Sequence, residues 1–311
     1  MLNDRPLVIV NPKAGGGFDE RKSARYVGAL SSGLGELDVQ FTKAPGHATQ
    51  LAREAALAGQ RLVVAFGGDG TISEVAGGLL AAREQGADLT DLGIIPRGTG
   101  GDFRRTLDLP SDITEAARRI RERPAHLIDV GRATFTTDDG GTASRYFVNV
   151  ASFGFSSAVA AAANKSKKAL GAKVAFVGAT LRTLVAHQNT EVFLQLDDAP
   201  EFRRTLMLGA VGNGRFFGGG MKICPDAKLD SGEFAFVVVG DLSRMDVVMN
   251  LPKLFAGTHL SMEDVSGTTA KVVRARPVDA DAIIPIEMDG ETPGRLPATI
   301  EIVPRALRLR F

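Results

Sequence analysis

Six carboxylates stand where chemistry could use them: Asp69, Glu74, Asp102, Asp129, Asp289 and Glu291. Asp69 lies inside Gly67-Gly68-Asp69-Gly70-Thr71. Two further segments are also polar and glycine-rich, Asn11-Pro12-Lys13-Ala14-Gly15-Gly16-Gly17 and Pro96-Arg97-Gly98-Thr99-Gly100-Gly101-Asp102-Phe103. Glycine lets a backbone approach phosphate closely and turn its N–H groups inward. A helix that starts just beyond adds a preference for an anion. Thr71 and Thr99 can supply hydroxyl donors. A carboxylate beside polyphosphate is repelled unless a cation intervenes, so Asp69 implies Mg²⁺, which takes oxygen ligands and bridges phosphates. Phosphoryl transfer needs positioning, neutralised charge and a group that accepts a proton.

The other carboxylates divide by context. Asp129 ends an apolar strand and is expected to face a cleft. Glu291 follows Asp289-Gly290, a dipeptide suited to a type I′ hairpin turn, which can aim the next side chain. Asp102 reads as a cap for a helix beginning at Phe103. Glu74 reads either as a neighbour of the nucleotide or as a helix N-terminal charge.

These groups need elements to hold them. Leu7–Val10, Leu37–Phe41, Leu62–Phe66, Leu92–Ile95 and Leu127–Val130 are short apolar runs, as strands buried on both faces require. Helical patterns alternate with them, including His47–Leu57, Ile72–Arg83 and a stretch capped by Ser111 or Asp112. That alternation predicts a parallel sheet covered on both sides. Ligands of such sheets bind beyond the carboxyl ends of the strands, where all three glycine segments fall. After Gly131 the pattern changes to many strands joined by polar turns, which predicts an antiparallel sheet or sandwich. Two helices interrupt it, over roughly Ser157–His187 and Ser243–Phe255. The expected division is therefore an α/β nucleotide-binding domain over residues 1–131 and a mainly antiparallel β-sandwich domain over 132–301.

Composition narrows the function classes. The chain has 311 residues, 37 Lys plus Arg against 36 Asp plus Glu, a balance that gives no reason to expect nucleic acid. Cys224 is the single cysteine, so no internal disulfide forms; it reads as a buried small hydrophobe in a protein of a reducing, cytoplasmic compartment. The N-terminus lacks the pattern of a signal peptide, and no run of about 18 apolar residues suggests a membrane span. Neither Gly-x-x-x-x-Gly-Lys-Ser/Thr nor a Gly-x-Gly-x-x-Gly after the first strand is present.

The stretch Val64-Ala65-Phe66-Gly67-Gly68-Asp69-Gly70-Thr71-Ile72-Ser73-Glu74-Val75 resembles the signature of the diacylglycerol kinase catalytic domain family, which includes sphingosine kinases and bacterial lipid kinases. Val10–Gly16, Thr42-Lys43-Ala44-Pro45-Gly46-His47-Ala48, Gly98–Phe103 and Met288-Asp289-Gly290-Glu291 extend the resemblance over nearly the whole chain. It implies an ATP-dependent lipid kinase with a nucleotide domain like that of NAD kinases and phosphofructokinases. It also implies that the chain end, about 302–311, rejoins the first domain. ATP is then expected on Asn11, Pro12, Lys13, Thr42, Gly67, Gly68, Asp69, Gly70, Thr71, Ile72, Ser73, Glu74 and Thr99. The catalytic set is Glu291, Asp69 and Asp129, with Glu291 favoured as base and Asp69 as the Mg²⁺ organiser; sphingosine kinases assign the base to the aspartate matching Asp69. A structural Mg²⁺ would sit at Lys228, Ser231 and Glu233. There Ser231 replaces the family's usual aspartate, and Ser73 and Gly101 replace usual asparagines.

The acceptor implied is a lipid alcohol such as diacylglycerol or a sphingoid base, reached at the membrane's inner surface. Val148–Phe155 and the Ala-rich stretch after it would line the lipid side. Lys165, Lys167, Lys168 and Lys173 form either a solvated face or a patch for anionic headgroups. The alternatives are an NAD or other non-lipid kinase of the superfamily and a non-catalytic nucleotide- or lipid-binding protein. A homodimer is left open.

Overall fold

The computed structural model describes residues 5–17, 20–98, 100–165 and 188–311. The chain divides into two compact units. The first runs to Asp129 and regains Pro304–Phe311; the second is Val130–Val303.

The first unit is built on a parallel sheet. Strands β1 (Leu7–Val10), β2 (Asp38–Phe41), β3 (Leu62–Gly67) and β4 (Asp91–Pro96) take the order β2-β1-β3-β4. The end of the 20-residue strand β15 (Glu291–Arg310) adds to β4, also in parallel. β1 and β3 are buried almost throughout, as continuous apolar runs covered on both faces must be. Alternate residues Val8, Val10, Val64, Phe66 and Ile95 share one core with Leu30 of helix α1 (Glu20–Leu34) and Ile120 of α5 (Ile113–Glu122). On the other side α2 (His47–Leu57) packs with α3 (Asp69–Glu84). A short helix, α4 (Asp102–Leu107), follows the glycine segment after β4. Asp112 caps α5, accepting the Glu115 N–H at 2.8 Å. Asp91, 5% exposed in its side chain, is paired by Arg308 and Arg310 at 2.8 and 2.6 Å, fixing the chain end beside β4.

Strand β5 (His126–Thr136) leaves the first unit and enters the second. There β6 (Thr142–Phe147), β7 (Val150–Gly154), β8 (Thr190–Leu196), β9 (Phe202–Leu206), β10 (Leu208–Gly212), β11 (Phe234–Val239), β12 (Val265–Ala270), β13 (Val272–Pro277) and β14 (Pro285–Met288) pair antiparallel with one another, with β5 or with β15. Their inward residues, among them Phe135, Phe147, Phe153, Phe234, Phe236 and Ile286, form the sandwich core. A second core lies on the other face of β7, β10 and β11; buried Cys224 belongs to it. Burial pushes the Cys224 thiol far up, as an inert structural cysteine requires.

Helix α6 (Phe155–Lys165) follows β7, and α7 (Arg244–Ala256) starts at a Ser243–Asp246 capping box. The expected helix beyond Lys165, with Lys167, Lys168 and Lys173, lies outside the described residues. The residue pattern predicts separate strands over Leu127–Val130, Ala133–Phe135, Leu206–Val211, Thr299–Val303 and Leu307–Arg310. Instead the first two are parts of the single strand β5, Leu206–Val211 divides at Met207 into β9 and β10, and the last two are parts of the single strand β15. β12 is not expected from the residue pattern. It is an edge strand, buried only at Val265 and Ala270, so it carries no alternating apolar signal.

Candidate functional site

The first unit gathers the glycine segments at the carboxyl ends of β1, β3 and β4. Asn11 donates its backbone N–H to Phe66 and its side-chain amide to Thr71 Oγ1 at 3.1 Å. Its own Oδ1 accepts the Lys13 N–H at 3.0 Å, folding the chain into a turn. Thr42 is tied to Val10 by its backbone N–H, which places it at the same sheet end. Gly68 begins α3 without any side-chain cap, leaving the helix entrance open to an anion. A Cβ on Gly98 would stand 2.8 Å from Gly68 Cα, so two glycine segments touch backbone to backbone. Only glycine permits this approach.

Asp69 has a task that its position in the segment did not reveal. Its carboxylate accepts the N–H groups of Gly101 (2.8 Å), Asp102 (3.2 Å) and Phe103 (3.1 Å). These are the first N–H groups of α4, whose N-cap is Gly101 at φ 64°. The expected cap, Asp102, does not serve: it is itself the first helical residue, and its Oδ1 lies 3.2 Å from Arg105 Nη1. Glu74 does for α2 what Asp69 does for α4. Its Oε2 accepts the Ala48 N–H at 3.1 Å, where the N-cap is Gly46. Ile72 and Ser73, expected on the nucleotide, are buried at 1% and 6% exposure. Ile72 joins the core, and neither side chain is open to a ligand. Lys13 is exposed; Thr99 lies outside the described residues.

Sequence reasoning missed Arg97. Its guanidinium lies 4.2 Å over the Tyr26 ring and reaches the Gly15 carbonyl at 3.3 Å. A fixed cation thus spans two of the three glycine segments. The signal was present as an arginine directly before Gly98-Thr99-Gly100.

Asp129 corrects another expectation. It is 1% exposed, and its Oδ1 accepts the Arg305 N–H at 2.8 Å. Arg305 stands at φ 51°, an uncommon conformation for a side-chain-bearing residue, and Asp129 helps to hold it. Asp129 secures the returning chain end.

In the second unit, Met288 and Glu291 pair across the two-residue turn Asp289-Gly290. Positive φ at both central residues, 50° and 91°, matches the type I′ turn. The Asp289 carboxylate accepts the N–H groups of Val148, Asn149 and Val150 at 2.9, 3.0 and 3.3 Å. The turn is thereby fixed to the entrance of β7, and Glu291 projects from a rigid base. Glu291 is half exposed and pairs with Arg145 at 2.7 Å. Behind the turn, buried Glu287 accepts the Gly290 N–H and the Ser152 hydroxyl.

Comparison with known proteins decides what this arrangement belongs to. Residues 5–133 match the diacylglycerol kinase catalytic domain, and residues 149–311 match the YegS C-terminal NAD kinase beta sandwich-like domain. A Xanthomonas euvesicatoria protein named "probable lipid kinase YegS-like" is 33% identical over 98% of this chain and 95% of its own. The chain belongs to the diacylglycerol kinase family. The diacylglycerol kinase of Mycobacterium tuberculosis is 32% identical, covering 97% of this chain and 93% of that one. The crystal structure of a diacylglycerol kinase from Bacillus anthracis superposes with a TM-score of 0.73 at 25% identity, over 99% and 97% of the two chains. This member of the family is a kinase with an N-terminal α/β domain and a C-terminal β-sandwich domain.

The fit of its residues to metal differs between the two expected sites. Among the described residues no group of three or more His, Cys, Asp or Glu converges as a metal cluster would. At Lys228, Ser231 and Glu233, the Ser231 hydroxyl donates to the Glu233 carbonyl at 2.9 Å, with the Lys228 carbonyl at 3.3 Å. The hydroxyl proton is directed at these carbonyls, and a neutral hydroxyl brings no charge to a cation, so Ser231 in this set does not fit Mg²⁺. Asp69 is different. A carboxylate offers about four acceptor sites. Three are filled, which leaves room for one further bond.

Proposed function

We propose that this protein is an ATP-dependent lipid kinase that transfers the γ-phosphoryl group of ATP to the hydroxyl of a lipid such as diacylglycerol or a sphingoid base. The observation that carries this reading is the meeting of Gly68 and Gly98 at an α3 entrance with no cap of its own. It is a cradle for polyphosphate made of backbone, and Arg97 supplies a cation beside it.

Each residue then has a defined part. Gly67–Thr71 and the Asn11 turn orient the phosphates, and the Asn11–Thr71 bond keeps the two segments in register. Asp69 holds the Gly98–Phe103 segment in place through its three N–H bonds. Asp69, with one acceptor site left, would hold Mg²⁺, which would neutralise developing charge on the phosphates. The lipid hydroxyl oxygen attacks the γ-phosphorus as the bond to ADP breaks. Glu291 takes the hydroxyl proton, and Arg145 holds its carboxylate in orientation.

Radiolabelled ATP offered with diacylglycerol, monoacylglycerol, sphingosine, ceramide and NAD tests the reading. Label is expected in one or more lipids. Transfer to NAD alone would overturn the acceptor class, and ATP binding without transfer would overturn the activity.

A further inference from the structure

Helix α7 presents an apolar face to the outside. Met245, Val248, Met249, Leu251 and Phe255 are 67%, 53%, 71%, 40% and 50% exposed, and no residue of the helix is fully buried. The large apolar side chains exposed elsewhere among the described residues, such as Phe41, Leu89 and Ile283, are dispersed along the chain. On a helix that advances 100° per residue, the five fall within one arc of about 160°. Val247 and Leu254 lie outside that arc, and these two pack against the core below. Attachment of α7 to its unit therefore does not use the exposed arc.

Cations flank the arc, and the acids Asp241 and Asp246 near them are each tied into hydrogen bonds; Asp241, just ahead of the helix, accepts the Asn189 side-chain amide at 2.6 Å. Arg244 and Lys253 are exposed at the two ends of α7. The one acid of the helix, Asp246, is bound in the capping box by the Ser243 hydroxyl at 2.6 Å and backbone N–H at 3.2 Å. At the far end, the Lys222 stem lies against Gly257, where an added Cβ would meet its Cδ at 2.7 Å. A wide apolar arc bordered by cations has the chemistry of a helix lying in the interface of an anionic bilayer. No helix of the described residues is long and apolar enough to cross a membrane.

We infer that α7 is a membrane-docking element, inserting Met245, Val248, Met249 and Phe255 among lipid chains while Arg244, Lys253 and Lys222 meet anionic headgroups. The inference rests on the lipid-kinase reading, since a lipid acceptor has to be reached at a bilayer surface. It adds the face through which the protein would approach.

The test uses the full chain and vesicles of phosphatidylcholine with phosphatidylglycerol. Wild type co-sediments with them, and the Val248→Asp/Met249→Asp/Phe255→Asp variant binds at least about tenfold more weakly, with an unchanged melting temperature. Phosphorylation of vesicle-borne lipid falls in parallel, while phosphorylation of a short-chain diacylglycerol in detergent stays within about twofold of wild type. A second variant avoids any folding loss: Met249→Cys carries an environment-sensitive fluorophore, which blue-shifts on vesicles. Unreactive Cys224 leaves the new thiol as the labelled one. Undiminished vesicle binding by the triple variant, or no blue shift, overturns the inference. So does a wild-type dimer that the triple variant dissociates while its vesicle binding persists, because the arc is then a subunit interface. Vesicle binding through α7 without phosphorylation of any lipid would instead retain the docking face and remove the lipid-kinase reading.

Discussion

Asp69 and Glu74, both on α3, cap two different neighbouring helices: Asp69 takes three N–H groups at the start of α4, and Glu74 takes Ala48 N–H at the start of α2. Both recipient helices have glycine at the N-cap, with no side chain to do the task locally. Helix entrances prefer an acceptor, and one supplied from another element ties that element in place. Asp69→Asn retains one carbonyl oxygen for three donors and is expected to cost about 1–3 kcal/mol in chemical denaturation. Glu74→Gln keeps an acceptor for the Ala48 N–H and is expected to cost under about 1 kcal/mol. Turnover falls in the first variant and stays near normal in the second. Normal turnover in a destabilised Asp69→Asn protein would confine Asp69 to the capping task.

Glu291 sits at the surface of its unit and pairs with Arg145. Half-exposed pairs contribute about 0–1 kcal/mol, so Glu291→Gln leaves the melting temperature nearly unchanged. Its loss as a base lowers kcat about 10²–10⁴-fold. A kcat within a few-fold of wild type would remove Glu291 from proton transfer.

Asp289 serves the fold through three N–H groups and a left-handed backbone. Asparagine tolerates that conformation and keeps one acceptor; alanine does neither. Asp289→Ala is expected to lose about 2–3 kcal/mol and Asp289→Asn about half as much. Equal losses in denaturant titration would mean that the conformation, and not the acceptor, decides.

Ser231 stands between two backbone carbonyls. Ser231→Asp places a negative charge there and is expected to create a Mg²⁺ response. The melting temperature of the variant rises with Mg²⁺ and falls with chelator, by RT ln(1 + [Mg²⁺]/Kd) in stability. At equal Mg²⁺ the wild type lacks this component. Identical Mg²⁺ dependence in both proteins would contradict the account of the site.

His259 is buried, bonds the Ile223 carbonyl at 3.0 Å, and has its pKa lowered by desolvation. The unfolded chain then binds the proton more readily than the folded one, so stability falls with pH from about 6.5 toward the lower folded value. Melting temperatures between neutral and mildly acidic pH are expected to decline less in His259→Asn than in wild type. Parallel curves would show that other groups govern the acid limb.

Much of this was readable in the chain. The apolar runs Leu7–Val10 and Leu62–Phe66 announced doubly covered strands, because burial on both faces leaves no polar position. Asp289-Gly290 announced its hairpin, because few other dipeptides accept positive φ twice. Asp112 was legible as a cap because it serves its own helix, three residues on. Asp69, Glu74 and Asp129 were visible as carboxylates, but their partners lie 33, 26 and 176 residues away, beyond any local pattern.

The sequence by itself determined the family, the alternation that makes the parallel sheet, and the three backbone segments suited to phosphate. Those features depend on local periodicity and on glycine, which act over a few residues. Only the tertiary structure decided which carboxylates are occupied in holding the scaffold and which remains at the surface. Hydrogen-bond acceptors are claimed by whichever donors folding brings near, and chain order does not state that proximity.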